Sequence, residues 1–264
     1  MENFKFKKSF GQNFLQDNNI IHNIVDKTKI KDNSLIIEVG PGSGSLTREL
    51  AKVAKNVLSY EIDTRLEEIL DENLKEYHNI EIIYDDFLNR DIKDDISKYS
   101  YDNLYFIANI PYYITTPILE KLVESKVSFE TITMMVQKEV ADRFSAKVKT
   151  KNYSSITVFL NYFFDIEKLM FVSRNAFIPK PNVDSEVIAL RKKKITVKAN
   201  NEEFFFKLIR DSFKYKRKNI RNNLKNYDLK IVEDVLKKYD KDLTSRAEEL
   251  ELNIFIDLAN SLDK

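Results

Sequence analysis

Four consecutive residues, Asn109, Ile110, Pro111 and Tyr112, combine groups that can bind an amine carried on an aromatic base. The side-chain oxygen of Asn109 and a neighbouring backbone carbonyl, that of Ile110, can together accept both hydrogens of an exocyclic amine. The ring of Tyr112 can stack on the base itself. A proline turn followed by a core tyrosine would have the same sequence, so these residues alone leave both interpretations open.

Glycine is the most informative residue because the chain of 264 residues has only four, and three of them, Gly40, Gly42 and Gly44, fall within five positions. A chain that avoids glycine elsewhere uses it here for backbone geometry, either to reach positive φ or to let another molecule approach closely. Acidic Glu38 precedes the cluster. A second acid, Glu61, follows about 20 positions later, where a carboxylate suits the hydroxyls of a ribose.

Three ligand-binding motifs and one ligand-free turn compete for this cluster. A P-loop needs Gly-Lys-Ser/Thr, and Gly44 is followed by Ser45 and Leu46, so that motif is excluded. The dinucleotide fingerprint fits at two glycines but places Ser45 where its third glycine belongs. The order acid-x-G-x-G-x-G, which residues 38–44 follow, is typical of a nucleoside cofactor without a pyrophosphate, S-adenosylmethionine. A tight turn that binds nothing remains open.

The surrounding sequence predicts the elements that position these motifs. Short apolar, β-branched runs predict buried strands, and segments with helical spacing alternate with them. The alternation indicates a doubly wound α/β sheet, in which ligands bind at the carboxyl ends of the strands. The polar residues of both motifs fall at such ends. The predicted strands are residues 34–39, 57–63, 80–84, 104–108 and 131–136, and the predicted helices are 45–53, 64–74, 117–124 and 138–146.

The residue inventory excludes several kinds of site. The chain has no cysteine and only two histidines, His22 and His78, so disulfides, thiol nucleophiles and iron–sulfur clusters are ruled out, and no metal site is expected. No apolar run approaches the ~18 residues of a membrane span. The first 14 residues, MENFKFKKSFGQNF, lack the apolar region of a secretory signal. We therefore expect a cytoplasmic protein.

A net charge of +1 conceals two oppositely charged regions. Residues 61–102 contain 14 acidic and 5 basic residues, whereas residues 191–230 contain 14 basic and 4 acidic residues. Such separation indicates a side of the protein that faces a polyanion, although a solvated helix face can have the same composition.

The chain changes character near residue 195, which predicts a two-domain organisation. From residue 201 onward there are helix signals without strand signals. In this region Phe205, Ile209, Phe213, Ile220 and Leu224 can share a helical face, and Lys214, Lys216, Arg217, Lys218 and Arg221 crowd the remainder. We predict a nucleoside-binding domain over residues 1–195 and a small helical domain over 196–264 that presents a basic surface to RNA phosphates.

Five segments of the chain resemble the motifs of one known family. They are residues 9–15 (SFGQNFL), 38–47 (EVGPGSGSLT), 109–119 (NIPYYITTPIL), 137–143 (QKEVADR) and 177–185 (FIPKPNVDS). On these segments the chain resembles the ribosomal RNA adenine dimethyltransferases, and within them the bacterial small-subunit group (the KsgA/RsmA type). The likeness extends over about residues 9–225.

The resemblance implies a fold and a set of site residues. The fold is a Rossmann-like class I methyltransferase sheet with helices on both faces, followed by a small helical domain. S-adenosyl-L-methionine is the implied cofactor, and the residues that would bind it are Asn13, Leu15, Gly40, Glu61, Asp86 and Asn109. The residues that would hold the target base and carry the transfer are Asn109, Ile110, Pro111, Tyr112 and Phe177. Core packing is the alternative role for the two aromatic rings.

The resemblance also implies the reaction, which is dimethylation of the exocyclic amino groups of adjacent adenines in small-subunit ribosomal RNA. The implied partner is an immature small ribosomal subunit, with the enzyme acting as a monomer away from membranes. Two alternatives remain open: an Erm-type methyltransferase of large-subunit ribosomal RNA, and an assembly factor that acts mainly by binding. Residues 146–155 depart from the family's pattern, which usually has a glycine-containing loop there.

Overall fold

The computed structural model describes residues 14–15, 17–194 and 197–263. These residues form two compact units. The first unit comprises the described residues up to Ala141 together with Glu167–Arg191, and the second comprises Asp142–Ile166 and the described residues from Lys192 onward. Within the described part of the chain, no helix is long and apolar enough to cross a membrane.

The helices and strands alternate through most of the first unit, and helices dominate the second. The strands are β1 (Phe14–Leu15), β2 (Ser34–Val39), β3 (Asn56–Tyr60), β4 (Ile80–Ile83), β5 (Asn103–Ala108), β6 (Thr131–Gln137), β7 (Phe164–Val172), β8 (Phe177–Ile178) and β9 (Ser185–Lys192). The helices are α1 (Asn18–Thr28), α2 (Ser45–Val53), α3 (Glu67–Leu74), α4 (Ile92–Ile96), α5 (Thr115–Glu124), α6 (Lys138–Phe144), α7 (Ser155–Phe163), α8 (Glu202–Ser212), α9 (Ile220–Asn223), α10 (Leu229–Lys237) and α11 (Leu252–Leu262).

Seven strands form one sheet in the order β4-β3-β2-β5-β6-β9-β7. The five strands from β4 to β6 pair in parallel, whereas β9 runs antiparallel to β6. The doubly wound α/β sheet predicted from the sequence is confirmed, and all five predicted strands are present. The antiparallel end of the sheet, β7 and β9, was not predicted.

Both faces of the central strands are covered because alternate side chains of a strand point to opposite faces. Tyr105 and Ile107 of β5 belong to an apolar cluster that includes buried residues of α1 and α2. Phe106, between them, contacts the rings of Phe87 and Phe129 instead. This double coverage explains why β5 is an almost continuous apolar run, as parallel strands buried on both faces are.

The second unit is built around its own apolar core. Tyr162 of α7, Phe205 of α8 and Phe255 of α11 are all buried in one cluster. The hydroxyl of Tyr153 donates to the carbonyl of Leu250 at 3.1 Å, which ties the start of α7 to the C-terminal helices. These interactions place Asp142–Ile166 with the C-terminal residues, whereas the predicted division at residue 195 assigned that segment to the first domain.

The basic residues between positions 214 and 218 lie in a turn, so the prediction that these four cations lie on a helix is wrong, whereas Arg221 does lie on α9. Helix α8 ends at Ser212 and α9 begins at Ile220. Between them, the Nδ2 atom of Asn223 donates to the carbonyl of Ser212 at 2.7 Å, and its Oδ1 atom accepts from the backbone N–H of Tyr215 at 3.1 Å. These hydrogen bonds of one amide side chain hold residues 213–218 in a non-helical conformation. The apolar residues on either side of the turn still share one core.

The departure at residues 146–155 has a local explanation. Lys149 adopts a φ of 67°, in the left-handed region. A residue with a Cβ atom is disfavoured there by about 1–2 kcal/mol. The backbone N–H of Lys149 donates to the carbonyl of Glu248 at 2.7 Å, within the same unit, which offsets part of that cost. A lysine therefore occupies a conformation that glycine adopts more readily.

Candidate active site

A cavity of about 350 Å³ lies in the first unit, at the carboxyl ends of β2, β3 and β5. Both motifs from the sequence meet there, because these three strands are neighbours in the sheet. The cavity is lined by every described residue that the sequence analysis proposed for the site: Leu15, Gly40, Glu61, Asp86, Asn109, Ile110, Pro111, Tyr112 and Phe177. Asn13 lies outside the described residues.

The glycine turn between β2 and α2 has three residues in the left-handed region. Gly40, Gly42 and Gly44 have φ angles of 73°, 61° and 81°, so the predicted need for unusual backbone geometry is confirmed. At Gly42 an added Cβ atom would lie 2.7 Å from the ring of Phe14, and at Gly44 it would lie 3.1 Å from Leu74. Gly40 differs, because the nearest atom to its added Cβ is the Asn109 carbonyl oxygen at 3.9 Å. Packing against Phe14 and Leu74 therefore also disfavours a side chain at positions 42 and 44.

Glu61 connects the glycine turn to the end of β3. One carboxylate oxygen accepts the backbone N–H of Gly42 at 3.2 Å, and the other accepts the backbone N–H of Asp63 at 2.9 Å. The side chain is buried, and burial raises its pKa. Each carboxylate oxygen has two acceptor sites, so both remain able to receive a further hydrogen bond from a ligand.

Glu38 is a buried acid beside the hydroxyl groups of two neighbouring residues. Its Oε2 atom accepts the hydroxyl of Ser59 at 2.8 Å. Its Oε1 atom is fully buried, and the equally buried hydroxyl of Thr47 interacts with the carboxylate. Burial, and to a smaller extent the nearby carboxylate of Glu61, raises the pKa of Glu38 to about 7, although the hydroxyl groups of Thr47 and Ser59 act in the opposite direction.

The electrostatic character of the cavity is acidic. Its lining includes four carboxylates, Glu38, Glu61, Asp85 and Asp86. Among the described residues that line it there is no lysine, arginine or histidine. An anionic pyrophosphate would be repelled by such a lining, whereas a cationic nucleoside would be attracted. This observation separates the two nucleotide interpretations that the glycine pattern alone left open.

Asp86 and Asn109 are two further residues that line the cavity. Asp86 begins a short 3₁₀ turn, and its Oδ1 atom accepts the backbone N–H of Leu88 at 2.9 Å. Asn109 follows β5 directly and is half-buried. Within the described ranges, no hydrogen bond occupies the Asn109 carboxamide, so the side-chain oxygen remains available to a donor in the cavity.

The two aromatic rings proposed to hold the base come from distant parts of the chain, and each is held by its own contacts. The hydroxyl groups of Tyr112 and Ser185 are hydrogen-bonded at 2.6 Å. Burial raises the pKa of Tyr112, which keeps this phenol neutral. Phe177 pairs with Leu15 in the small β1–β8 sheet and is buried in the apolar cluster below it. Each ring thus has a packing role and also lines the cavity.

The loop that carries Phe177 is closed by an ion pair. The guanidinium of Arg174 donates to both oxygens of Asp184, at 3.0 and 3.3 Å, and the backbone N–H of Arg174 donates to the same carboxylate at 3.0 Å. The Arg174 guanidinium holds the pKa of Asp184 below its usual range. Neither residue was singled out from the sequence, because the pairing depends on a fold that brings positions ten residues apart face to face.

One exposed residue of the cavity was also missed. Tyr113 lines it but is 63% exposed, the largest exposure recorded for a large apolar side chain in the described part of the chain. The sequence contained a signal, two consecutive tyrosines after Pro111, but nothing in the sequence alone distinguishes which ring faces solvent.

Comparison with known proteins agrees with this geometry. The family described as "Ribosomal RNA adenine dimethylase" matches residues 3–264. "Ribosomal RNA small subunit methyltransferase A" of Anoxybacillus flavithermus is 46% identical over 220 residues, which cover 82% of this chain and 75% of that protein. The crystal structure of a dimethyladenosine transferase from Plasmodium falciparum superposes with a TM-score of 0.80 at 28% identity, covering 93% of this chain and 95% of that one. The 23S rRNA methyltransferase ErmE gives a TM-score of 0.76 at 30% identity, covering 96% of this chain and all of that one.

The sheet order and the acidic cavity beside the glycine turn define a class I methyltransferase. With a family match over nearly its whole length, the chain belongs to the ribosomal RNA adenine dimethylase family. It is therefore an enzyme that methylates ribosomal RNA, as the resemblance implied.

The raised pKa of Glu38 predicts a pH dependence of stability. In the unfolded chain a glutamate titrates near 4.3, so between about pH 4.5 and 7 the folded protein binds more protons than the unfolded chain. The contribution of Glu38 to the free energy of unfolding is thus fully present below about pH 4.5 and is lost as the pH rises towards 7. We expect Glu38→Gln to remove this loss, as measured by urea unfolding at several pH values. Exposed Glu120→Gln is the matched control, and parallel pH profiles for wild type and Glu38→Gln would contradict the prediction.

Proposed function

We propose that this enzyme transfers methyl groups from S-adenosyl-L-methionine to the exocyclic amino groups of adjacent adenines in small-subunit ribosomal RNA, producing dimethylated adenines. The observation that carries the proposal is the position of residues 109–112 beside an acidic, cation-free cavity at the glycine turn, within the described part of the chain. The assignment to the small subunit is supported by the identity of 46% with relatives named for that substrate, against 30% with ErmE. An RNA substrate of this kind implies action in the cytoplasm.

The cofactor's donors match the acceptors of the cavity. A carboxylate accepts two ribose hydroxyls well, and Glu61 has acceptor sites left for them. Asp86 would accept from the amino group of the cofactor's adenine, while Leu15 and Asn13 would cover the ligand. Gly40 has open space where a side chain would stand, so the backbone can be approached by the methionine part.

The target amine is activated by hydrogen bonding and alignment. The lone pair of an adenine amino nitrogen is delocalised into the purine ring. When the Asn109 side-chain oxygen and the Ile110 carbonyl accept its two hydrogens, the nitrogen is favoured as a pyramidal nucleophile. The bound cofactor supplies an electrophilic methyl group on a sulfonium. Alignment of the two reactants can contribute about 7–11 kcal/mol, which makes a general base dispensable.

The reaction needs no side chain that accepts a proton, which is consistent with a chain that has only two histidines. The nitrogen that has just gained a methyl group is cationic and acidic, so water can remove its proton. For the second methylation the amine carries only one hydrogen, and either acceptor, Asn109 or Ile110, suffices to orient it. Pro111 restricts the backbone between Ile110 and Tyr112, both of which line the cavity.

Stacking offsets the cost of taking the base out of its RNA stack. That cost is a few kcal/mol, and each aromatic partner returns ~1–3 kcal/mol. Tyr112 and Phe177 both line the cavity, and Tyr112 is the more accessible ring because Phe177 is buried in the apolar cluster. The second unit would supply the sequence-independent part of binding, since its turn at residues 213–219 carries exposed cations that are available to phosphates.

The proposed substrate predicts which RNA becomes labelled. Wild-type protein incubated with radiolabelled cofactor and unmethylated small subunits should label small-subunit RNA at two neighbouring adenines, read as primer-extension stops. Large subunits from the same cells serve as the control. Label confined to large-subunit RNA would replace the proposal by the Erm-type alternative, and RNA binding without any label would favour a pure assembly factor.

The role assigned to Asn109 predicts a separation of catalysis from binding. Asn109→Ala removes an acceptor that is needed in the transition state, so methyl transfer should fall by about 10²–10³-fold. RNA affinity, measured by filter binding, should stay within about twofold because phosphate interactions dominate it. Asn23→Ala, on the exposed face of α1, is the matched control and should retain full activity. Equal losses of transfer and RNA binding would contradict the assigned role.

The basic turn predicts a salt dependence. Neutralising Lys216, Arg217 and Lys218 with glutamine should weaken RNA binding and lower the slope of log K against log salt by up to about 3, roughly one unit for each phosphate that is no longer neutralised. A triple variant of Lys230, Lys237 and Lys238 on and after α10 makes the same change in net charge elsewhere in the unit. An equal change of slope in both triple variants would show that net charge, rather than this turn, binds the RNA.

A further inference from the structure

Tyr113 is an aromatic side chain at the edge of the cavity that no role described above uses. It lies in the short 3₁₀ turn Tyr112–Ile114 that joins β5 to α5. The turn is held by two backbone hydrogen bonds, from Ile114 N–H to the Pro111 carbonyl at 3.2 Å and from Thr115 N–H to the Tyr112 carbonyl. The backbone under Tyr113 is therefore fixed, while its ring stays 63% exposed to solvent.

The two neighbouring tyrosines, Tyr112 and Tyr113, differ in their exposure to solvent. Tyr112 is half-buried and fastened to Ser185 through its hydroxyl group, so its ring lines the interior. Tyr113 follows it in the chain, lines the same cavity and faces solvent. One ring thus belongs to the interior of the site and the other to its entrance.

The size of the cavity leaves the rest of the substrate outside. At about 350 Å³ it is near the lower end of the range for ligand sites, so it cannot enclose the nucleotides on either side of a target base. When that base leaves its stack, the next nucleotide loses a stacking partner and exposes one face of its own base. That face is apolar and planar, and an exposed aromatic ring at the entrance is the surface that complements it.

We propose that Tyr113 forms a second nucleobase site at the cavity entrance, where its ring stacks on the nucleotide adjacent to the one being methylated. The inference rests on the proposed function, which supplies an RNA strand with one base in the cavity. Stacking is tolerant of base identity because every base has a π face. The site would therefore accept the neighbour both before and after that neighbour has itself received two methyl groups, which leave the purine face intact. One ring can in this way serve both methylations of an adjacent pair.

The test compares Tyr113→Ala with Tyr113→Phe, using Phe171→Ala as the matched control. Phe171 is 54% exposed, lies in the first unit and does not line the cavity. Transfer to unmethylated small subunits gives KM and kcat for each variant. Stacking is read separately from the fluorescence of a single-stranded RNA pentamer that carries 2-aminopurine next to a central adenosine, because stacking on a ring quenches that fluorophore.

The expected result is a rise in KM for Tyr113→Ala of about 5- to 150-fold, the range for loss of one stacked base, with kcat within about twofold of wild type. Tyr113→Phe should behave as wild type in both assays, and Tyr113→Ala alone should lose the quenching. An unchanged KM in Tyr113→Ala, a loss confined to kcat, or an equal loss in Phe171→Ala would each overturn the inference.

The wild-type protein separates this inference from the proposed function. If wild type transfers no methyl group to small-subunit RNA, the proposed function fails. The stacking site is then judged by the pentamer alone, where equal quenching by wild type and Tyr113→Ala would refute it.

Discussion

The hydrogen bonds of the Glu61 carboxylate to the N–H groups of Gly42 and Asp63 are the interaction on which the site depends. They join the turn after β2 to the end of β3, two neighbouring parallel strands. The turn can reach this carboxylate only because three of its residues adopt positive φ angles, and at Gly42 the ring of Phe14 also occupies the space of a side chain. One carboxylate thus shapes the wall of the cavity and remains able to accept from a ligand.

The acidic lining determines which chemistry the cavity permits. Four acidic side chains without a cation among the described lining residues favour a positively charged nucleoside. Burial raises the pKa values of two of these acids, Glu38 and Glu61, and a bound cation would favour their charged forms. Reactions that rely on alignment need few titratable catalytic groups. The scarcity of histidine, the absence of cysteine and the neutral acceptors at Asn109 and Ile110 are consistent features of one reaction type.

Much of this fold was predictable because its strands and glycines carry strong local signals. Buried parallel strands such as β2 are continuous apolar runs, and glycine is so rare here that its clustering located the turn. What was missed depends on tertiary structure. Strand β7 is buried only at its two ends and has charged residues in its first half, so its sequence pattern does not identify a core strand. The turn at residues 213–219 is held by the side chain of Asn223, which the helical spacing of the apolar residues does not reveal. The outward orientation of the Tyr113 ring is visible only in the three-dimensional structure.

The hydrogen bond between Tyr112 and Ser185 makes the substrate site sensitive to strand alignment. Ser185 is opposite Gln137 in the antiparallel β6–β9 ladder, and a slip of one residue would turn its side chain to the other face of the sheet. A protein with that ladder misaligned would keep the parallel half of its sheet, and with it the cofactor wall, yet lose the anchor of the base-binding ring. Binding of the target base therefore depends on the correct register of β6 and β9, whereas binding of the cofactor does not.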